Sequence, residues 1–195
     1  ADAPDWDVVG LSRRPPEYGA HAPHVAVDLT DPESCRAAAE RLGDVTDVVY
    51  AALFEERELT AGWRGGGAQV STNVAMLSNL LDAVEDRAPS LRHVTLMQGT
   101  KAYGIHLGPI KLPAKESDPR HMPPNFYFDQ EDHLRARAAE AGWTFTVLRP
   151  QIVCGFAVGN PMNVVMAIGA YAAISRELGL PLRFTGGPEC FQEAV

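Results

Sequence analysis

Leu91-Arg-His-Val-Thr-Leu-Met-Gln-Gly-Thr-Lys-Ala-Tyr-Gly104, then a proline-rich loop, then Pro123-Pro-Asn-Phe-Tyr-Phe-Asp-Gln-Glu-Asp132, decides how this chain is read. The short apolar run around Val94 and Leu96 is a strand that ends in Gln98–Gly99–Thr100–Lys101. Tyr127 opens a segment of helical character. A phenol has an unperturbed pKa near ~10, so a nearby ammonium is needed before it takes on phenolate character. A Lys at a strand end and a Tyr at a helix start therefore suit the polarisation of a carbonyl. The plainer alternative makes Tyr127 a half-buried aromatic and Lys101 a surface charge.

Working outward, the same strand-then-helix rhythm repeats. Asp7–Val8–Val9–Gly10–Leu11–Ser12 and His24–Val25–Ala26–Val27–Asp28–Leu29 have little alternation, the pattern of strands buried on both faces. Asp31 as N-cap and Pro32 at the first helical position start a helix expected to run to Leu42 and stop at Gly43. Thr46 to Ala52 is a third strand, and the charged, Gly-rich stretch from Phe54 to Gly67 reads as a loop. From Gln69 the apolar spacing (Val70, Val74, Leu77, Leu80, Leu81, Val84) is helical and leads into the Leu91 strand. A helix is expected from Asn125 to Ala141, a strand from Trp143 to Leu148, a helix from about Met162 to Leu178, and a last short strand at Leu182–Thr185.

Strands alternating with helices imply an α/β fold, a Rossmann-like doubly wound parallel sheet with helices on both faces. The expected organisation is one domain over residues 1–195, with the substrate pocket built mainly from 102–126 and 155–195. Such sheets bind ligands beyond the carboxyl ends of their strands. Ser12–Arg14, Asp28–Leu29, Ala51–Leu53, Gln98–Lys101 and Pro150–Val153 all lie at such ends and are expected to share one crevice. No Gly-x-x-Gly-x-x-Gly follows a strand, and Gly65–Gly67 lacks a preceding one. The expectation is a fragment that opens on the second strand, without the first β-turn-α unit and a C-terminal portion.

Composition narrows the function. A net charge of −8 speaks against nucleic acid as the partner, since phosphate binding needs a basic face. No apolar run approaches the ~20 residues of a membrane span, and ADAPDWD has no secretory pattern, so a cytoplasmic location is expected. Cys35, Cys154 and Cys190 are scattered and odd in number, reading as reduced thiols. His21, His24, His93, His106, His121 and His133 show no paired ligand spacing, so no metal is expected. Neither Ser71 nor Ser78 sits in a Gly-x-Ser-x-Gly elbow.

The cofactor reading rests on strand ends. Ser12–Arg13–Arg14 follows a strand where dinucleotide folds recognise the adenosine ribose. Arginines there accommodate a 2′-phosphate, which favours NADP over NAD; the alternative is two solvated surface arginines. Asp28 and Leu29 offer a side chain and a backbone group for the adenine, although Asp28 reads equally as a turn residue. Asp129, Glu131 and Asp132 in the helix's first turn complement its dipole rather than act as paired acids. The common short-chain reductase places its pair on one helix as Tyr-x-x-x-Lys. None of Tyr18, Tyr50, Tyr103, Tyr127 or Tyr171 has that Lys, and the position after Tyr127 is Glu131.

Over nearly its whole length the chain resembles the progesterone 5β-reductase and iridoid synthase-like family, an atypical branch of the short-chain dehydrogenase/reductases. The matching stretches are Val8–Arg14, Gln98–Tyr103, Asn125–Asp132, Arg149–Pro150 through Gly155–Phe156, Met162–Asn163, Tyr171–Ile174 and Leu182–Gly186. That family is similar in lacking Tyr-x-x-x-Lys and in taking its Lys from the preceding strand. The resemblance implies that Tyr127 and Lys101 are the catalytic pair. It also implies NADPH-dependent reduction of a carbon–carbon double bond conjugated to a carbonyl, with Tyr127 stabilising the enolate oxygen. The implied cofactor contacts are Ser12, Arg13, Arg14, Asp28, Leu29, Ala51, Ala52, Gln98, Lys101, Tyr127, Pro150 and Val153. The family's Arg-Lys-His-Tyr is Thr100–Lys101–Ala102–Tyr103 here, the loop between Lys101 and Tyr127 is shorter than in plant members, and Phe128 replaces a common second Tyr.

The leading expectation is an enone or enal reductase acting on a small-molecule carbonyl substrate, without nucleic-acid or membrane partners. The oligomeric state stays open, a homodimer being one option. Direct reduction of an aldehyde or ketone, or a sugar epimerase or dehydratase reaction, would use the same pair. A non-catalytic NADP-binding sensor is the reading from another class, and it needs neither Lys101 nor Tyr127.

Overall fold

The structure is a computed structural model that describes residues 5–16, 22–56, 68–122, 124–155, 163–184 and 186. In chain order the elements are β1 (Gly10–Ser12), β2 (His24–Ala26), α1 (Pro32–Ala39), β3 (Asp47–Tyr50), α2 (Gln69–Arg87), β4 (His93–Met97), a 3₁₀ turn (Thr100–Tyr103), α3 (Phe126–Ala141), β5 (Thr144–Leu148) and α4 (Val164–Glu177). All strand pairs are parallel: β1 with β2, and β3 with β4 with β5. These form a two-stranded and a three-stranded sheet, and no described strand bridges β1 and β3. The parallel α/β architecture is the expected Rossmann-like fold.

Local chemistry sets the helix starts. Asp31 accepts from the Glu33 N–H with Pro32 at the first position, Asn125 from Tyr127 N–H, and Asn163 from Met166 N–H. Gly142 ends α3 at φ +81°, where a side chain would be strained. The core forms where α2 lies on the three-stranded sheet. Leu77, Leu81 and Val84 meet Tyr50, Val94 and Leu96, with Leu134 of α3 and Trp143 closing the cluster. On the other side of α2, Ala83 joins Val25, Val27, Cys35, Ala38 and Ala39. Burial raises the Cys35 thiol to about 11, so it is an inert core group.

Several expected bounds shift. α1 ends at Ala39 rather than Leu42, because Arg41 and Leu42 donate to Ala38 and Ala39 carbonyls three residues back, which tightens the chain. β1 does not begin at Asp7: Val8 and Val9 pair with no strand and are exposed, so they are not buried on both faces as expected. β2 stops at Ala26 and β3 spans only Asp47–Tyr50. Leu182, Arg183 and Phe184 form no strand, and Leu182 and Phe184 are exposed. Thr185, the Met162 helix start and the loop call over 57–67 fall outside the described residues. No described helix is long and apolar enough to cross a membrane.

Leu134 is fully buried where α3 meets the sheet core. Leu134→Ala is expected to cost about 2–5 kcal/mol, because truncation leaves a cavity as well as removing buried surface. Urea unfolding followed by circular dichroism measures it.

Candidate active site at the end of β4

β4 delivers Gln98 at the carboxyl edge of the sheet, where its N–H donates to the Leu148 carbonyl and extends the β4–β5 ladder. The chain then turns through Thr100–Tyr103 and ends at Gly104, φ +84°. Two hydrogen bonds fasten this turn to the start of α3. Gln98 Nε2 donates to the Tyr127 carbonyl at 2.8 Å, and Asn125 Nδ2 donates to the Lys101 carbonyl at 3.0 Å. His121 Nε2 donates to the same Lys101 oxygen at 3.1 Å. Asn125 thus caps the helix with its oxygen and holds the lysine turn with its nitrogen.

Gly99 lies against the tyrosine. A Cβ built there would sit 3.6 Å from the Tyr127 hydroxyl and 3.5 Å from the Pro150 carbonyl oxygen, so Gln98, Gly99, Tyr127 and Pro150 are neighbours. Arg149 braces the group from β5. Its Nε donates to Gln98 Oε1 at 3.2 Å, its Nη2 to Glu131 Oε2 at 2.6 Å, and its guanidinium lies 5.2 Å from the Tyr103 ring centre. Glu131, where Tyr-x-x-x-Lys would carry its lysine, is engaged by Arg149 and Arg135. Asp129 lies in the first turn of α3, as expected for an acid that complements the helix dipole, while Glu131 and Asp132 fall beyond that turn and are paired with arginines, Asp132 with Arg120 through two bonds of 2.6 Å. The Glu131–Arg135 pair has the i,i+4 spacing of helix neighbours, whereas the Arg149 and Arg120 partners leave no mark in sequence spacing.

The lysine is not a surface charge. Its side chain is 33% exposed and its Nζ lies 3.7 Å from Glu55 Oε1, which is 22% exposed. Burial lowers the Lys101 pKa from the ordinary lysine value, and the Glu55 carboxylate opposes that fall. The Tyr127 hydroxyl is pushed up to about 12, first by burial and then by Glu55. Tyr127 therefore stays a neutral hydroxyl donor through the physiological range.

A cavity of about 900 Å³ runs along β1 and β3 between the two sheets, lined from Asp7 to Arg13 on one side and from Asp47 to Phe54 on the other, and so takes in their carboxyl ends. Ser12, Arg13, Asp28, Leu29, Ala51 and Ala52 line it, so six of the expected cofactor residues share one crevice. Phe54 also lines it, and the next residue is Glu55, which reaches Lys101. Arg14 and Val153 do not line this crevice, and Val153 is 73% exposed. Two polar groups are already engaged: Ser12 Oγ donates to the Arg14 carbonyl, and Asp28 Oδ1 accepts from the Thr30 N–H and hydroxyl. Asp28 is thus a turn residue whose carboxyl is held below its usual range mainly by the Thr30 hydroxyl. The donor set fits the adenosine side of a dinucleotide: apolar walls, an Arg at the end of β1, and no acid among Ser12–Arg14.

Parallel strands joined through helices, with polar groups gathered at the strand carboxyl ends, define the Rossmann class of α/β proteins. A family model described as a PRISE-like Rossmann-fold domain matches residues 34–190, and the chain belongs to that family. A 3-oxo-Delta(4,5)-steroid 5-beta-reductase from Arabidopsis thaliana is 35% identical over 202 residues, covering 96% of this chain and 49% of the relative. An (S)-8-oxocitronellyl enol synthase from Camptotheca acuminata is 33% identical, covering 94% and 47%. The chain thus spans about half the length of these curated relatives. Among solved structures, RMD from Pseudomonas aeruginosa complexed with NADPH superposes with a TM-score of 0.58 at 21% identity, covering 83% of this chain and 55% of that one, which shows the shared fold.

Gly99 leaves room for one carbon and no more, since a Cβ there meets its neighbours at ordinary contact distance. Gly99→Ala is expected to fold and bind normally. Gly99→Val carries methyl groups into the Tyr127 hydroxyl and is expected to lower turnover by about 10²-fold with little change in melting temperature. Steady-state kinetics and thermal melts of the two variants check this.

Proposed function

We propose that the protein is an NADPH-dependent reductase of carbon–carbon double bonds conjugated to a carbonyl, with Tyr127 and Lys101 as its catalytic residues. The observation that carries the reading is the Tyr127 hydroxyl held over the side-chain-free Gly99 at the end of β4, with Lys101 on the same turn. The family relationship supports it, two relatives being named as a steroid 5-beta-reductase and an enol synthase.

The residues divide the work. Arg13 would hold a ribose 2′-phosphate, and Leu29, Ala51 and Ala52 would flank the adenosine side. Gln98, Tyr127 and Pro150 would border the nicotinamide side. Bound NADPH supplies hydride to the β-carbon of the conjugated system. Tyr127, neutral at working pH, donates a hydrogen bond to the substrate's carbonyl oxygen and stabilises the negative charge that develops there, and the enolate would then take a proton from water at its α-carbon to complete the reduction. The Lys101 ammonium adds a positive field to that oxyanion and to the phenol. Gln98 and Asn125 do not react; they hold the turn and the helix start so that the two groups stay in register. Residues 102–126 and the described part of 155–195 would border the substrate.

NADPH consumption with a cyclic enone, an open-chain enal and a saturated aldehyde tests the reading. Turnover of the conjugated substrates is expected. Turnover with the saturated aldehyde alone would replace it by direct carbonyl reduction, and tight NADPH binding with no turnover would favour a sensor. Tyr127→Phe is expected to cost about 10²–10⁴-fold in turnover with cofactor affinity nearly unchanged; equal loss of both would make the residue structural.

The pH profile follows from the two shifts. Lys101 is lowered and Tyr127 raised, so on raising the pH the ammonium is lost first. kcat/KM is expected to be flat near neutrality and to fall with an alkaline midpoint below the ordinary lysine value of ~10.4. Lys101→Met is expected to remove that limb along with most of the activity.

A further inference from the structure

We propose that Glu55 is a third residue of this site, a positioning residue whose carboxylate holds the Lys101 ammonium at the end of β4. The inference deepens the reductase reading and takes its meaning for catalysis from it.

Glu55 is an acid beside a lysine whose task is to favour negative charge, so its presence needs a reason. Its backbone is built into place. Phe54, on one side, donates its N–H to Asn73 Oδ1 at 2.9 Å and accepts from Asn73 Nδ2 at 2.7 Å. Glu56, on the other side, donates its N–H to Gln69 Oε1 at 3.2 Å, and its own carboxylate accepts from the Ala68 N–H at 2.8 Å. Asn73 and Gln69 are fully buried polar side chains of α2, and Gln130 of α3 donates to the Asn73 carbonyl at 3.0 Å. A buried amide is stabilised by the hydrogen bonds it makes, so Asn73 and the Gln69 Oε1 fix the segment between them, while the buried Gln69 Nε2 has no partner among the described residues. The residue they present to Lys101 is Glu55.

The ion pair is partly shielded rather than solvated, with the two side chains 22% and 33% exposed. Desolvation disfavours the ammonium, and a carboxylate at 3.7 Å offsets part of that effect. The same carboxylate disfavours a phenolate at Tyr127, which keeps that residue a proton donor. Other titratable or charged groups around Lys101 are Tyr127 from α3, His121 against its carbonyl from the preceding loop, and Tyr103 of its own turn under Arg149. Among the described residues Glu55 is the acid paired with Lys101.

Loss of the carboxylate acts in one direction on both partners. The ammonium loses its counter-ion, so Lys101 gives up its proton at lower pH. The phenol loses a repelling charge, so Tyr127 also ionises at lower pH. Both move the alkaline limb of activity downward.

The chain has only three lysines, Lys101, Lys111 and Lys115, so NMR of protein carrying ¹⁵Nζ-labelled lysine follows each ammonium separately. In Glu55→Gln the Lys101 midpoint is expected to fall by about one pH unit, while Lys111 and Lys115 stay in place. The alkaline midpoint of kcat/KM for the conjugated substrate is expected to move down by a similar amount, and Glu55→Asp, which keeps the charge, is expected to retain most of both. An unmoved Lys101 midpoint in Glu55→Gln overturns the proposal. So does a loss of turnover equal at every pH, the mark of a purely structural role. If Glu55→Gln fails to fold, Glu55→Asp decides: its Lys101 midpoint must stay within about half a unit of the parent's, and a larger fall overturns the proposal. Absence of turnover with every substrate sinks the reductase reading, but the Lys101 titration still decides the role of Glu55.

Discussion

Two hydrogen bonds between the turn after β4 and the first turn of α3 carry the architecture of this site. A Tyr and a Lys four residues apart on one helix are neighbours by covalent geometry, whatever surrounds them. Here the two residues sit on different elements, and a tertiary connection must do what helix periodicity does elsewhere. Gln98 to the Tyr127 carbonyl and Asn125 to the Lys101 carbonyl are that connection. Each bond contributes on the order of 1 kcal/mol net, but leaving a buried amide such as Gln98 or Asn125 unpaired costs about 1–3 kcal/mol. The penalty for breaking the clamp is what fixes it. Arg149 extends the clamp to β5, since it touches Gln98, Glu131 and the Tyr103 face together.

The clamp is supported from α2. Gln69 and Asn73 are polar residues at fully buried positions of a helix whose other buried positions are mainly apolar. They spend their hydrogen bonds on the chain leaving β3, and so turn the end of that strand toward the end of β4. The crevice between the sheets and the Lys101–Tyr127 turn are thereby joined through residues 51–55. One helix face is apolar where it covers the sheet and amide-bearing where it shapes the site. The first stabilises the fold, and the second decides where the strand end points.

Much of the fold was legible because periodicity and caps are local. Asp31–Pro32 and Asn125 start helices where they are read to, and Gly142 stops one. Bounds were less legible wherever pairing decides them. Val8 and Val9 look like buried strand in sequence, yet no described strand lies beside them, so burial does not follow from apolarity. Leu182–Phe184 has strand composition and forms none. Asp28 shows the limit for single polar residues: its position at a strand end was clear, but only the structure gives its carboxylate to Thr30.

The sequence by itself determined the parallel α/β class, the position of Lys101 at a strand end and Tyr127 at a helix start, and the absence of the one-helix pairing. All of these follow from spacing along the chain. The tertiary structure alone decided that Glu131 belongs to Arg149, that Lys101 is half-buried against Glu55, and that Gln69 and Asn73 are buried amides that steer a strand end. Those partners lie more than ten residues apart, and a long-range ion pair or side-chain hydrogen bond leaves no period in a sequence. It is fixed only when packing removes the alternative partner, which is water.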